Sequence, residues 1–194
     1  MDVLPKVRGT GLEQPGVHGV LALPRKLVKL DAPIGQTVFF VRIIAAHSTE
    51  HLPVVRQLFQ EYADATGIDL CFQNFTAELA NLPGKYAPSE GRLFLAQVDG
   101  NVAGCVALRK IANGICEMKR LYVRPHFRKK GAGLLLANAT IDAAREIGYQ
   151  SMRLDTLSSM TAAIALYDSL GFRPIPPYYH NPNPDTVFLE LKLR

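Results

Sequence analysis

The chain has no tryptophan and only three cysteines, Cys71, Cys105 and Cys116, with no CxxC pair among its 194 residues. An odd, scattered set of thiols builds neither a disulfide framework nor a cysteine-based zinc site, so no metal is expected and a reducing, cytoplasmic setting is. Also missing is any charge-free apolar run long enough to span a bilayer, and the opening residues MDVLPKVRG have neither the apolar stretch nor the cleavage site of an export signal. No membrane partner is expected. Acidic residues are in the minority, 17 against 22 Lys plus Arg, and the net charge of +5 favours anionic partners. Hydrophobic residues make up 48% of the chain, enough for one ordinary globular core, while 15 Gly and 13 Pro are too few for a disordered or collagen-like chain.

Residues 1–37 carry Pro5, Pro15, Pro24 and Pro33 among five glycines, with no sustained period of two or 3.6, and read as a flexible leader. A folded domain is expected over residues 38–194. It opens with a β-branched and aromatic run at 38–44. A helix then follows, capped by Ser48 or Thr49 with Glu50 in its first turn, with Leu52, Val55, Leu58, Phe59 and Tyr62 on one face and Gly67 as its stop. A second short helix is expected near 76–81. Strand-like runs at 92–98, 102–110 and 115–123 are joined by Asp99-Gly100 and Asn113-Gly114, the residues that tight hairpin turns favour, so they form an antiparallel meander. Leu134, Leu135, Ala137, Ile141, Ala144 and Ile147 recur at helical spacing up to Gly148. A strand at 151–156, a helix at 160–170 stopped by Gly171, and a last strand at 187–193 complete the chain. The strand, helix and strand over 115–156 make a parallel crossover. The fold class is mixed α/β with a single sheet, in the order βααβββαβαββ, and there is no internal repeat.

One segment carries chemistry. Lys119, Arg120, Arg124, Arg128, Lys129 and Lys130 follow one another with no acid between them, and the run ends at Gly131-Ala132-Gly133, where a helix begins. The first N–H groups of a helix lack internal partners and carry positive partial charge, and glycine lets an anion approach them. These residues describe a phosphate cradle. It has neither the GxxxxGK[ST] order of a Walker A loop nor the GxGxxG dinucleotide fingerprint.

Here the chain resembles the GNAT superfamily of acyl-CoA-dependent N-acyltransferases. The resemblance rests on Leu121-Tyr122-Val123-Arg124-Pro125, on Arg128-Lys129-Lys130-Gly131-Ala132-Gly133 with Leu134 and Leu135, and on Ala165-Leu166-Tyr167 with Leu170-Gly171-Phe172-Arg173 downstream. It covers roughly residues 38–194 and implies a GNAT-like fold that uses acetyl-CoA as donor and an amine as acceptor, by direct attack. It implies that Arg128, Lys129, Lys130, Gly131, Ala132, Gly133 and Leu134 hold the pyrophosphate. The backbone of Leu121, Tyr122 and Val123 would pair with the pantetheine arm at a splay between the fourth and fifth strands, where an amide could polarise the thioester carbonyl. It further implies Glu117 as the acid that takes the amine's proton, directly or through water, and Tyr167 as the phenol that protonates the departing thiolate. Where the family commonly has Asn seven residues before that tyrosine, this chain has Met160, which cannot donate to a pantetheine carbonyl. Ser158, Ser159 or Thr161 would have to substitute.

The family's acceptor site would be walled by residues 67–75 and 176–182, both rich in aromatic and amide side chains, with His180 able to titrate. Cys116 has no histidine near it in sequence and reads as a small buried thiol rather than a nucleophile. The basic run lacks interleaved stacking aromatics, and the chain has no recognition-helix or zinc-finger pattern, which argues against a nucleic-acid partner. An acyl-CoA-binding sensor without catalysis is the alternative to an enzyme. Pairing of two copies through the last strands, as a homodimer, is a further expectation.

Overall fold

The computed structural model describes residues 27–29, 39–68 and 70–194. The elements are β1 (Leu27–Lys29), β2 (Phe40–Ala45), α1 (Leu52–Thr66), α2 (Phe75–Ala80), β3 (Arg92–Val98), β4 (Asn101–Ala112), β5 (Ile115–Val123), α3 (Ala132–Ile147), β6 (Ser151–Leu157), α4 (Thr161–Ser169), β7 (Arg173–Pro174) and β8 (Thr186–Lys192). All these strands join one sheet in the order β1-β2-β3-β4-β5-β6-β8-β7. The mixed α/β order expected from the sequence is present, with one strand added. β1 lies inside the expected leader and pairs antiparallel with β2, Val28 opposite Val41, a backbone contact that needs no periodicity in the side chains. The rest of the leader expectation falls outside the described residues.

Local chemistry explains most element boundaries. Asp99 and Gly100 take φ of 49° and 81°, the positive pair that a two-residue hairpin requires, and Asp99 Oδ1 accepts the N–H of Phe40 at 3.0 Å. Gly67 ends α1 and Gly148 ends α3, both left-handed. The start of α1 differs from expectation. His51, without a side-chain capping bond, stands at the N-cap, Pro53 occupies the first turn, and no acid lies in that turn. Ser48 instead bonds the His51 ring at 2.8 Å and Glu50 at 3.3 Å, so the turn ahead of the helix uses the polar groups that the sequence offered as caps.

Both faces of the sheet are buried. On one, Leu136, Ala137, Ile141 and Ala144 of α3 pack with Tyr167 of α4 against Val106, Leu108, Met118, Met152 and Leu154. On the other, Val55, Leu58 and Phe59 of α1 cover Leu93, Leu95, Cys105 and Ala107. At the far edge β7 is two exposed residues, one of them Pro174, so the edge that would have to receive a second copy is short and blunted.

Two irregularities in β5 shape the interior of the sheet. Lys119 pairs with Ala107 and Tyr122 with Cys105, so β5 spends three steps where β4 spends two, and the surplus residue, Arg120, has φ of 56°. This is a β-bulge, which bends a strand and increases its twist. On its other side β5 runs parallel to β6 only from Ile115↔Ser151 to Glu117↔Arg153. Beyond that point the two strands part.

Candidate active site

The splay between β5 and β6 opens a cavity lined by Tyr62, Met118, Lys119, Arg120, Leu121, Asp155, Thr156, Met160, Ala163 and Tyr167. A second cleft adjoins it and shares Tyr62, Asp155, Thr156 and Met160. Its remaining lining comes from Thr66 at the end of α1 and the segment after it, including Ile68, Leu70, Phe72 and Gln73, from Leu157 at the end of β6, and from Asn181, Asn183 and Thr186 leading into β8. The two acceptor-wall segments expected from the sequence therefore face one space. His180 is exposed and is not part of that lining.

The bulge decides which charges enter the splay. Without it, strict alternation would place Arg120 with Met118 on the α3 face. With it, Met118, Leu121 and Val123 belong to the α3 side, and Tyr122 to the α1 side. Arg120 reaches Glu78 of α2 through two bonds, 3.1 Å from Nε and 2.7 Å from Nη2, and its guanidinium lies 5.0 Å from the Phe75 ring centroid. Burial opposes the ionisation of Glu78, but Arg120 and the Tyr86 hydroxyl outweigh it and hold the carboxyl below its ordinary value. Arg124 likewise forks onto Glu61 of α1 at 2.9 and 2.7 Å. Lys119, only 5% exposed in its side chain, donates to Asp155 of β6 at 2.7 Å. Burial would raise the Asp155 carboxyl, yet Lys119 keeps it below the ordinary value. Three of the six basic residues in the run are thus paired with acids from elsewhere in the chain.

The other three remain on the loop. Arg128 and Lys129 are exposed, and Arg128 Nε donates to the Val123 carbonyl at 3.0 Å, which ties the loop to the end of β5. The Lys130 ammonium lies 4.3 Å from the Phe39 ring centroid. Gly131 is the N-cap of α3 with φ of 76°. The first bond of that helix runs from the Leu135 N–H to the Gly131 carbonyl at 3.1 Å, so the N–H groups of Ala132, Gly133 and Leu134 precede the internal ladder. A Cβ on Gly133 would stand 3.8 Å from Val123 Cγ2 and 3.9 Å from Leu166 Cδ2, which places this helix end beside β5 and α4 at the mouth of the splay.

The two residues singled out for proton transfer fare differently. Tyr167 lines the splay cavity, its ring packs edge-on to Phe172 at 5.6 Å, and burial pushes its phenol well above the ordinary value. Glu117 is fully buried and lines neither cavity. One of its oxygens accepts from Arg109 at 2.6 Å and the other from the Tyr178 hydroxyl at 2.6 Å. Tyr178, Tyr179 and Phe188 stack edge-on with centroids 5.2 to 5.3 Å apart, and Asn181 donates to the Tyr179 hydroxyl at 3.1 Å, so the segment before β8 is anchored on Glu117. Asp155, which sequence reasoning did not single out, is the carboxylate on the wall of both cavities. Its only signal in the sequence is its place in the strand after the crossover. Met160 lies at the N-cap of α4 on both cavity walls, with the Thr156 hydroxyl 3.7 Å from its sulfur. Cys116 is buried, its Sγ points to the Ser151 carbonyl at 3.5 Å, and burial pushes its thiol up to about 12, which leaves no thiolate for nucleophilic chemistry near neutral pH.

The sequence and the fold both have clear counterparts. A family model described as Acetyltransferase (GNAT) family matches residues 53–172. An uncharacterized N-acetyltransferase of Schizosaccharomyces pombe is 43% identical over 155 residues, covering 79% of this chain and 95% of its own. Another from Dictyostelium discoideum is 35% identical, covering 79% of this chain and 99% of its own. Among solved structures, an acetyltransferase of the GNAT family from Staphylococcus aureus has the same fold, with a TM-score of 0.66 at 20% identity over 79% of this chain and 99% of that one. The chain belongs to the GNAT acetyltransferase family and is an enzyme of the N-acetyltransferase class.

Proposed function

We propose that this protein transfers the acetyl group of acetyl-CoA to a primary amine, by direct attack within the splay between β5 and β6. The observation that carries the reading is the free edge of β5. After Glu117 that edge has no strand partner among the described residues and leads, through a loop bearing Arg128, Lys129 and Lys130, to the open N-terminus of α3. A pantetheine arm can add to Leu121, Tyr122 and Val123 as a strand would, while the helix N-terminus and the loop cations face the pyrophosphate. The thioester supplies an activated acetyl group, and the rest of the chemistry falls to side chains.

Tyr167 lines the splay cavity and, like any phenol at or above its ordinary value, carries its proton at neutral pH, so it can donate to sulfur as the thiolate leaves. An alkyl amine, with a pKa near ~10, arrives mostly as ammonium. In this reading it meets Asp155, which is ionised and lies on the passage between the cleft and the splay. Asp155 orients the nitrogen by a charge-assisted hydrogen bond, and the nitrogen gives one proton to solvent water in the cleft; its freed lone pair then attacks the thioester carbonyl, and the carbon–sulfur bond breaks as Tyr167 protonates the sulfur. Glu117 acts at one remove: by holding Tyr178 and Arg109 it positions the wall of the acceptor cleft. The buried thiols Cys105 and Cys116 accord with a reducing, cytoplasmic setting.

Calorimetric titration with acetyl-CoA and with ATP, followed by thiol release against a panel of amines, tests the reading. Acetyl-CoA binding that is lost on replacing the loop cations, together with amine-dependent thiol release, is the expected result. No binding of any acyl-CoA would overturn it.

A further inference from the structure

The three cations of the loop before α3 are not equivalent. Arg128 and Lys129 are exposed, whereas Lys130 is half-buried and its ammonium stands over two aromatic faces, 4.3 Å from the Phe39 ring centroid and 5.4 Å from that of Phe127. Both rings are partly buried against the α3-side core. Lys130 thereby ties the loop after β5 to the entry of β2, three strands away in the sheet. The backbone on either side of it is of a kind that has to be held. Lys129 and Gly131 take left-handed conformations, φ of 62° and 76°, and for a residue with a Cβ such as Lys129 that conformation costs free energy and persists only where the surroundings impose it. Gly131 is the N-cap of α3, so a shift of this loop would carry with it the N–H groups of Ala132, Gly133 and Leu134.

We infer that Lys130 is a positioning residue for acetyl-CoA rather than one of its phosphate ligands: its charge is committed to Phe39 and Phe127, and that contact fixes the loop through which the α3 N-terminus receives the pyrophosphate. The inference rests on the acetyl-transfer reading above and divides the work of the loop. Arg128 and Lys129 supply charge, while Lys130, Phe39 and Phe127 supply shape. An ammonium over a ring is held by the negative face of the π system, and turning away to a phosphate would forfeit two such contacts at once. In the sequence Lys130 is grouped with its basic neighbours because the ring nearest to it comes from a distant segment.

The test follows the Lys130 side chain itself, by NMR of the full chain with carbon-labelled lysine, its ε-methylene signal assigned by its disappearance in Lys130→Met. Protons held over a ring face are shifted upfield. The signal should therefore lie upfield of those of exposed lysines in the free protein and stay there when the protein is saturated with acetyl-CoA. Calorimetric titration with acetyl-CoA at two ionic strengths gives a second readout. Lys130→Met and Phe39→Leu should each weaken binding by about three- to fivefold, and the double variant by no more than either alone. The salt dependence should stay that of the unaltered chain, in contrast to Arg128→Ala combined with Lys129→Ala. A Lys130 signal that moves to the exposed-lysine position on binding, a loss of salt dependence in Lys130→Met at least half that of the Arg128 and Lys129 pair, or unaltered affinity in Phe39→Leu would overturn the inference. Failure of the unaltered chain to bind acetyl-CoA at all would instead overturn the acetyl-transfer reading on which it stands.

Discussion

Lys119 and Asp155 occupy the positions that would be paired in the parallel register set by Ile115↔Ser151 and Glu117↔Arg153, yet they are joined only through their side chains, at 2.7 Å. The backbone rungs end at Glu117, and a charged strut takes over where β5 and β6 diverge. It keeps the splay open at a defined width while contributing Asp155 to the cavity wall. Both partners are largely buried, with side chains 5% and 13% exposed, so removing Asp155 leaves a buried Lys119 with only the more distant Glu117 carboxylate, at 4.0 Å, as counter-ion. Asp155→Asn is therefore expected to cost about 3 kcal/mol of unfolding free energy. Lys119→Met combined with Asp155→Leu should recover most of that loss. Urea denaturation of the three variants measures the coupling, and additive costs would show that the strut is not a unit.

Tyr167→Phe should lower kcat by about a hundredfold, the lower end of general acid contributions, and leave acetyl-CoA affinity within about twofold. Glu117→Gln should act differently, because Glu117 touches Tyr178 and Arg109 rather than the cavity. It raises the KM of the acceptor more than it lowers kcat. Steady-state kinetics with both substrates varied separates the two outcomes, and a hundredfold fall in kcat for Glu117→Gln would return it to the role of direct proton acceptor.

The loop proposed to hold the pyrophosphate can be probed apart from the chemistry. Arg128→Ala combined with Lys129→Ala removes two exposed cations without disturbing a buried pair, so acetyl-CoA binding should weaken by about tenfold or more and lose part of its salt dependence. Gly131→Ala places a Cβ at φ of 76° and should destabilise the fold by about 1 kcal/mol. Titration at two ionic strengths and thermal unfolding check the two halves.

Stability should fall in acid, and the direction of each shift sets the sign. Buried Asp155 and Glu78 are held below their ordinary values against the effect of burial, and Glu61 is lowered chiefly by its bond to Arg124. A carboxyl whose folded pKa lies below its unfolded one stabilises the fold above the unfolded value, near ~4, and loses that contribution as pH drops through the folded value. His47 is also lowered, first by burial and then by Arg92, so its contribution begins to decline below about 6.5. Urea midpoints should thus hold from neutral pH upward, sag gently below about 6.5 and drop steeply below about 4. Glu78→Gln should flatten the steep part.

Much of this fold is legible in the sequence because it is written in local chemistry. Asp99-Gly100 marks its hairpin, Gly67 and Gly148 end their helices, and the apolar spacing of α3 sets the crossover that brings β5 beside β6. The basic run is legible as well, but not that its first half is paired with acids from other elements and only its last half stays on the loop before α3. Glu78, Glu61 and Asp155, which neutralise Arg120, Arg124 and Lys119, lie 42, 63 and 36 positions away along the chain, beyond any local pattern. Position on a strand does not say which carboxylate will be enclosed by Arg109 and Tyr178 and which will face open space. β1 escapes notice because three residues pairing through their backbone leave no periodic trace.

The bulge at Arg120 acts on the pleat as an inserted base acts on a reading frame. Every side chain after it changes sides, so a guanidinium that would have abutted the α3 core is turned toward Glu78, and Leu121 takes its place among apolar neighbours. Removing that single residue would restore regular pairing with β4 and leave Leu121 and Tyr122 on the faces they now occupy, but it would take away the guanidinium that holds Glu78 and straighten the strand alongside β6. Access to the interior of this sheet thus depends on β5 being one residue longer than its partner.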